Sequence, residues 1–241
     1  MTLTDGTVWG AGAKVSKVEK NSVSNTIATP FSQCSSMADR YNGITLKMKG
    51  GWSLEFRAYD DGVAYRFVSS RRKPFGITSE QVEFNFPDDF TVTVPYVRSG
   101  SDEDMQSQFF NSFENQYTVT PLSGLNPRRL AFLPLAVDAG DGLTLAITET
   151  DLRDYPGLYL YNPDGAMSLK GRQPPYPAKT EDGGYNNIQS VVVETAPYIA
   201  DVNAPRTFPW RVFAIAGRDI QLADNDMVYR LAAPSRVEDV S

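Results

Sequence analysis

Apolar and polar side chains alternate strictly along residues 52–59, which places three large apolar side chains on one face of an extended segment. A repeat of two residues is typical of a half-buried β-strand. The triplet Asp-Asp-Gly at 60–62 follows, and a second apolar run covers residues 63–68. Aspartate followed by glycine suits the positive φ angles of tight hairpin turns. The pattern therefore predicts a β-hairpin over residues 52–69.

Similar short runs recur along the rest of the chain, and 16 prolines and 18 glycines separate them. This punctuation is typical of antiparallel sandwiches. A long polar loop is predicted over residues 28–42, and one short helical turn over 216–224. We therefore predict an all-β fold, a large antiparallel β-sandwich with little helix, under about a fifth of the residues. Further strands are predicted over residues 82–86, 90–94, 136–137, 143–147, 158–160, 188–194, 210–215 and 227–231.

The segment between two of these strands carries a group of charged and aromatic side chains. They are Glu149, Asp151, Arg153, Asp154 and Tyr155. Carboxylates, a guanidinium and an aromatic ring at the rim of a rigid sheet can form a binding surface for polyhydroxylated ligands. The alternative is an ordinary solvated hairpin loop, since loops are usually charged.

A second polar loop is predicted over residues 98–117. A loop of about 20 residues within a compact domain is more often functional or disordered than merely connecting. Four aromatic side chains argue against disorder, because they need a surface to pack on. They are Phe109, Phe110, Phe113 and Tyr117. We therefore expect Glu114, which lies among them, to sit in an ordered setting.

Composition excludes several classes of function. The 241 residues carry a net charge of −6, which argues against a nucleic-acid partner. The chain has no histidine, so Ser-His-Asp and Cys-His catalysis and histidine-ligated zinc are excluded. Its single cysteine, Cys34, cannot form an intrachain disulfide. A metal would need oxygen ligands, which favours calcium or magnesium.

Neither a signal peptide nor a membrane span is predicted. The first residues lack a basic start and an apolar stretch. No run approaches the ~18 apolar residues that a spanning helix needs. The sequence is compatible with a cytosolic chain or with a mature segment of a longer secreted protein.

Four segments of the chain resemble the N-terminal domain of glycoside hydrolase family 97. They are the predicted hairpin at 52–69, the sequence Phe-Glu-Asn-Gln-Tyr-Thr-Val-Thr-Pro-Leu-Ser at 113–123, the loop at 148–157, and Phe-Pro-Trp-Arg-Val-Phe-Ala at 208–214. The tail at 231–241 resembles the family's join to its catalytic barrel. The resemblance covers essentially the whole chain.

This resemblance implies a super-sandwich of the galactose-mutarotase-like type that packs on the C-terminal catalytic barrel of the same polypeptide and forms a wall of its active site. Family members are α-glucosidases and α-galactosidases acting on oligosaccharides, chiefly from Bacteroidetes. A periplasmic or secreted location is implied as well. The family also binds calcium, and the sandwich glutamate that helps to ligate it is matched here by Glu114. The other ligands are expected from the barrel, so calcium binding by the chain alone should be weak or absent.

The chain is expected to be a single β-sandwich domain, 1–241, truncated at its N-terminus and lacking the barrel. It would then contain no catalytic residue and be inactive alone, because glycoside hydrolysis needs two carboxylates held roughly 5–9.5 Å apart. Glu149, Asp154 and Arg211 are the candidate substrate-binding residues. In the structural alternative, Glu149 and Asp154 pair with Arg153 or Arg98. A stand-alone carbohydrate-binding module and a ligand-free interaction domain are the two other functions that the sequence leaves open.

Overall fold

The computed structural model describes residues 1–29, 34–98, 102, 104–110 and 114–234. The chain divides into two compact units. The first unit consists of residues 1–11, 72–137 and 154–205, and the second of residues 12–71, 138–153 and the segment from 206 onward. In chain order the strands are β1 (Thr2–Leu3), β2 (Val15–Ala28), β3 (Ser36–Met48), β4 (Trp52–Tyr59), β5 (Gly62–Ser69), β6 (Phe75–Ser79), β7 (Glu83–Asn85), β8 (Thr91–Val94), β9 (Thr118–Pro121), β10 (Leu135–Asp138), β11 (Thr144–Thr150), β12 (Tyr159–Tyr161), β13 (Ser168–Arg172), β14 (Pro177–Gly183), β15 (Gln189–Thr195), β16 (Ala200–Val202), β17 (Arg206–Thr207) and β18 (Trp210–Ala216).

The strands of the second unit are antiparallel neighbours in the order β2-β3-β4-β5-β18-β11, with β17 beside β5. The predicted hairpin is confirmed. Tyr59 pairs with Gly62 across a two-residue link, and Trp52 pairs with Ser69 at the far end. A link of this length sets the register of the whole pair of strands.

The predicted loop over residues 28–42 is wrong for most of that segment. Strand β3 begins at Ser36 and pairs with β2 as far as Ala28. Both Met37 and Asp39 are buried, and the Tyr59 hydroxyl donates a hydrogen bond of 3.1 Å to Asp39. An aspartate at a buried strand position interrupts the apolar alternation, so the pattern did not reveal the strand. Residues 30–33 lie outside the described part.

The strand predicted over residues 227–231 is also wrong, because Met227–Leu231 forms an α-helix, α2. Met227 and Leu231 are buried and lie four residues apart, which places them on one face of a helix. They pack in a cluster with Trp210 and Val212 of β18. A short apolar run does not by itself distinguish a strand from a helical turn.

In the described part of the first unit the strands are paired in the orders β1-β6-β16, β12-β13-β7 and β10-β8-β9, and β14 pairs with β15. Apolar side chains with at most 1% exposure form the core of this unit. They include Leu3, Ile77, Val92, Leu122, Leu130, Leu135, Leu160 and Leu169.

Helix is scarce, as predicted. Within the described residues the α-helices are α1 (Ile220–Ala223), which matches the expected helical turn, and α2. Neither has the length and apolar character that crossing a membrane as a helix requires.

Candidate functional site

Glu149 and Arg211 form a buried ion pair in the second unit. Glu149 of β11 lies directly opposite Arg211 of β18 in the antiparallel register. The Arg211 guanidinium donates a hydrogen bond to the Glu149 carboxylate, and the side chains of Arg211 and Glu149 are only 2% and 12% exposed. This arrangement fits a structural role in holding β11 and β18 together. Substrate binding by these two residues stays a prediction.

The loop after β11 is tied to the sheet by further ion pairs. Asp151, with its side chain 8% exposed, lies 3.8 Å from Arg66 and 3.1 Å from Arg153. Arg66 in turn donates a hydrogen bond of 2.7 Å to Glu55. The φ angle of Asp151 is 59°, a left-handed conformation that aspartate tolerates better than most residues. The charges of this loop therefore belong largely to an internal network.

Asp154 lies in the first unit, where its residue is exposed and its φ angle is 44°. Glu149 lies in the second unit. The two predicted substrate-binding carboxylates thus belong to different units, and the role of Asp154 stays a prediction.

Glu114 is an exposed carboxylate of the first unit. Its side chain is 78% exposed, and Arg98 approaches it at 3.5 Å. Of its expected aromatic anchors, Tyr117 is 60% exposed, and Phe113 lies outside the described residues. In the part of the chain that the structure describes, no group of three or more acidic, histidine or cysteine side chains could hold a metal ion. A carboxylate is the right donor type for calcium, but calcium takes about six to eight oxygens, so other ligands would have to complete a site here.

A cavity of about 870 Å³ opens in the second unit. Arg57, Arg66 and Arg230 contribute to its walls, together with apolar residues that include Ile27 and Leu231. The guanidinium carbons of Arg57 and Arg66 lie 4.8 and 4.3 Å from the centre of the Trp210 ring. Cation–π contacts of this kind hold arginine side chains in place, and the N–H groups at the edge of the guanidinium can still donate hydrogen bonds.

The sequence pattern did not identify Arg57, Arg66 and Arg230 as neighbours, although the hairpin register gives the position of one of them. The two-residue link of the β4–β5 hairpin places Arg66 opposite Glu55, where the two form their ion pair. That pairing follows from the turn alone. The position of Arg230 depends on α2, which the sequence pattern did not predict.

A family model described as "Glycosyl-hydrolase 97 N-terminal" matches residues 1–234. The chain belongs to the glycosyl-hydrolase 97 N-terminal family. The resemblance seen in the sequence is thereby confirmed.

Individual relatives agree with this assignment. The chain is 52% identical over all 241 residues to a retaining α-galactosidase of Bacteroides thetaiotaomicron, and it spans only 36% of that protein. A glycoside hydrolase family 97 enzyme from Pseudoalteromonas sp. strain K8, solved with acarbose, matches 95% of this chain and 31% of its own, with 22% identity and a TM-score of 0.71. A β-arabinopyranosidase matches 97% of this chain and 36% of its own, with 17% identity and a TM-score of 0.74.

The two structural matches show the fold alone. Together with the antiparallel sheets and the scarcity of helix, they confirm the predicted all-β sandwich. All three relatives are much longer than this chain, which spans about a third of each.

Proposed function

We propose that this chain is the N-terminal part of an α-glycosidase that hydrolyses α-galactosides. The observation that supports the substrate class is the 52% identity, along the entire chain, to a retaining α-galactosidase. An α-glucosidase is the competing assignment within the same family. The resemblance makes a periplasmic or secreted location part of the proposal.

In this proposal the catalytic carboxylates come from a barrel in the same polypeptide, outside residues 1–241. Two observations support this division. Glu149 is engaged by the buried Arg211, and Asp151 by Arg66 and Arg153. A carboxylate whose oxygens are engaged by guanidinium groups of its own unit has little hydrogen-bonding capacity left for a glycosidic bond. The chain then contributes a wall of the oligosaccharide-binding site.

Calcium is the proposed cofactor, with Glu114 as one of its ligands. Support comes from the resemblance and from the donor type, since Glu114 is an exposed carboxylate and can face a neighbouring domain. Residues of the barrel would supply the other oxygens. When bound, calcium would supply positive charge that polarises sugar oxygens or neighbouring carboxylates.

Hydrolysis assays test the proposed function. The product of the complete gene is assayed with nitrophenyl α-galactoside and nitrophenyl α-glucoside, and we expect kcat/KM to be higher for the galactoside by about tenfold or more, which is ~1.4 kcal/mol of transition-state binding. Equal rates, or a preference for the glucoside, would contradict the substrate assignment.

The 241-residue chain alone is assayed in parallel, and we expect no turnover above background. The opposite result would be turnover that survives repurification and yet disappears in a Glu149→Gln variant whose circular dichroism spectrum is unchanged. That result would contradict the proposal that the catalytic carboxylates lie outside residues 1–241. The chain would then be an enzyme by itself.

A further inference from the structure

A second cavity, of about 390 Å³, lies within the first unit. Its walls come from Thr78, Ser79 and Glu80 at and after the end of β6, from the end of β13 and the residues after it, and from the segment between β15 and β16. Binding sites for small molecules commonly have volumes of about 300–1,000 Å³. The volume therefore suits a ligand of one or two sugar rings. We call this cavity the Glu80 cleft.

Glu80 is a buried carboxylate at this cleft, with an exposed fraction of only 7%. The hydroxyl of Tyr155 donates a hydrogen bond to it at 2.9 Å, and the side-chain amide of Gln173 donates another at 3.4 Å. Gln173 is itself 9% exposed and also lines the cleft. A carboxylate oriented by two protein donors is a preorganised hydrogen-bond acceptor, and preorganisation lowers the entropic cost of binding.

The charges of the cleft cancel. Among the described residues that line it, Glu80 and Arg172 are the charged ones, and Gln106 and Gln173 add neutral amides. Guanidinium, carboxylate and amide groups donate to or accept from hydroxyls in the plane of the group. A lining with this set of groups, in which one carboxylate and one guanidinium balance, is suited to a neutral ligand that carries several hydroxyl groups.

Aromatic rings complete the lining. Phe109, Tyr161 and Tyr198 all contribute to the walls. Two of these rings are held by other rings, since Tyr198 lies 5.3 Å from Tyr176 and Phe109 lies 5.2 Å from Tyr159 between centroids. An aromatic ring supplies a rigid apolar surface for the C–H face of a sugar. Planar polar groups beside such rings can form hydrogen bonds with the hydroxyls of a pyranose, while the aromatic rings contact its apolar C–H face.

We propose that the Glu80 cleft binds a neutral saccharide. Glu80 and Gln173 pair with hydroxyls at the buried end, Arg172 and Gln106 pair with hydroxyls at the open end, and the aromatic rings contact the sugar's apolar face. The proposal rests on the proposed function only for its first choice of probe, a galactoside. Binding by the cleft requires no catalytic carboxylate.

The test is a ligand-observed NMR titration of the 241-residue chain with methyl α-galactopyranoside and methyl α-glucopyranoside. We expect saturable binding of at least one of them. Arg172→Ala removes an exposed side chain, so the fold should persist. We expect this variant to bind about tenfold or more weakly, because one charge-assisted hydrogen bond is lost. Glu80→Gln should weaken binding as well, and its thermal midpoint is measured alongside to establish that it is folded.

Arg128→Ala is the matched control. It removes another exposed arginine of the same unit, one that does not line the cleft. We expect its affinity to equal that of the wild type. The proposal is overturned if neither glycoside binds the wild-type chain, or if Arg172→Ala and Arg128→Ala bind equally well. These titrations measure binding and not turnover. A negative result would therefore contradict the proposed cleft, whereas negative hydrolysis assays on the complete protein would contradict the proposed function.

Discussion

Arg211 is a charged side chain in the core of the second unit, and its ion pair with Glu149 should matter for stability. Removing one partner of a buried pair leaves the other charge uncompensated, at a cost of roughly 3–5 kcal/mol. We expect Arg211→Met to lower the free energy of unfolding by about that amount in urea denaturation. Replacing both partners by apolar residues is often nearly neutral. The double variant Arg211→Met/Glu149→Leu should therefore recover most of the loss.

The control for this pair is Lys47→Met. It removes an ion pair with Glu19 in which the side chains of Lys47 and Glu19 are 46% and 39% exposed. Exposed pairs contribute little because water and salt screen them. We expect no measurable change in its urea midpoint. A double variant as unstable as Arg211→Met would show that packing, and not the unpaired charge, accounts for the effect.

Tyr59 is a second buried polar residue, and it makes stability depend on alkaline pH. Burial raises the pKa of Tyr59 to about 12, with Arg57 opposing this shift and the carboxylate of Asp39 adding to it. The pKa of tyrosine in an unfolded chain is about 10. Above pH ~10 the unfolded chain therefore loses a proton that the folded chain retains. Linkage then requires the contribution of Tyr59 to stability to be complete below pH ~10 and to be lost as pH rises towards ~12.

Comparison of wild type with Tyr59→Phe isolates this effect from the other groups that titrate at high pH. At neutral pH the variant should be less stable, because Asp39 loses the hydroxyl that donates to it. The difference in unfolding free energy should shrink as pH rises from about 10 to 12. Tyr185→Phe, at a residue that is 77% exposed, is the control and should show no such trend. A wild-type to Tyr59→Phe difference that stays constant with pH would contradict the argument.

At the scale of elements, the β4–β5 turn and helix α2 meet at Gly62. A Cβ atom at this position would lie 2.2 Å from the sulfur of Met227 and 2.3 Å from the carbonyl oxygen of Phe213. The sulfur can move, but the backbone oxygen belongs to β18 and cannot. We expect Gly62→Ala to cost about 1–3 kcal/mol or more by overpacking, measured by urea denaturation.

Gly217→Ala is the matched control for this close approach. A Cβ atom there would meet its nearest neighbour, an oxygen of Gln221, at 3.7 Å, which is an ordinary contact. The change should alter stability by less than about 0.5 kcal/mol. Equal stability of the two variants would contradict the close approach of the Phe213 backbone to Gly62.

At the scale of the whole molecule, we expect Glu114 to bind calcium only together with ligands from the proposed barrel. Its side chain is 78% exposed, so Glu114→Gln should leave the unfolding free energy of the 241-residue chain unchanged. In the product of the complete gene we expect the same substitution to weaken calcium binding and to lower activity, because one oxygen ligand is lost from a completed site. Calorimetric titration with calcium measures this.

Glu194→Gln, at an exposed residue of β15, is the control for Glu114. It should leave calcium affinity and activity unchanged in the complete protein. Identical calcium affinities for wild type and Glu114→Gln would mean that Glu114 is an ordinary surface residue and that the ligand lies elsewhere.

One ion pair near the candidate site could be predicted from the sequence. The Glu55–Arg66 ion pair follows from the hairpin register, because a two-residue turn decides which residues face each other. The pairing of Glu149 with Arg211 does not follow, since 62 residues separate them and no turn relates β11 to β18. Glu80 and Gln173 of the proposed cleft are separated by 93 residues, and nothing in their local sequence marks them as neighbours.

The sequence by itself determined the all-β class, the low helix content, the β4–β5 hairpin and the family. These properties depend on alternation and turn residues within a few positions, or on patterns spread along the entire chain. Tertiary structure decided which distant strands are neighbours, that residues 227–231 form a helix, and that Asp39 and Arg211 are buried. The reason is physical. A polar residue enters a core, and a short apolar run becomes a helix, only when partners brought from elsewhere in the chain supply the hydrogen bonds and the packing surface.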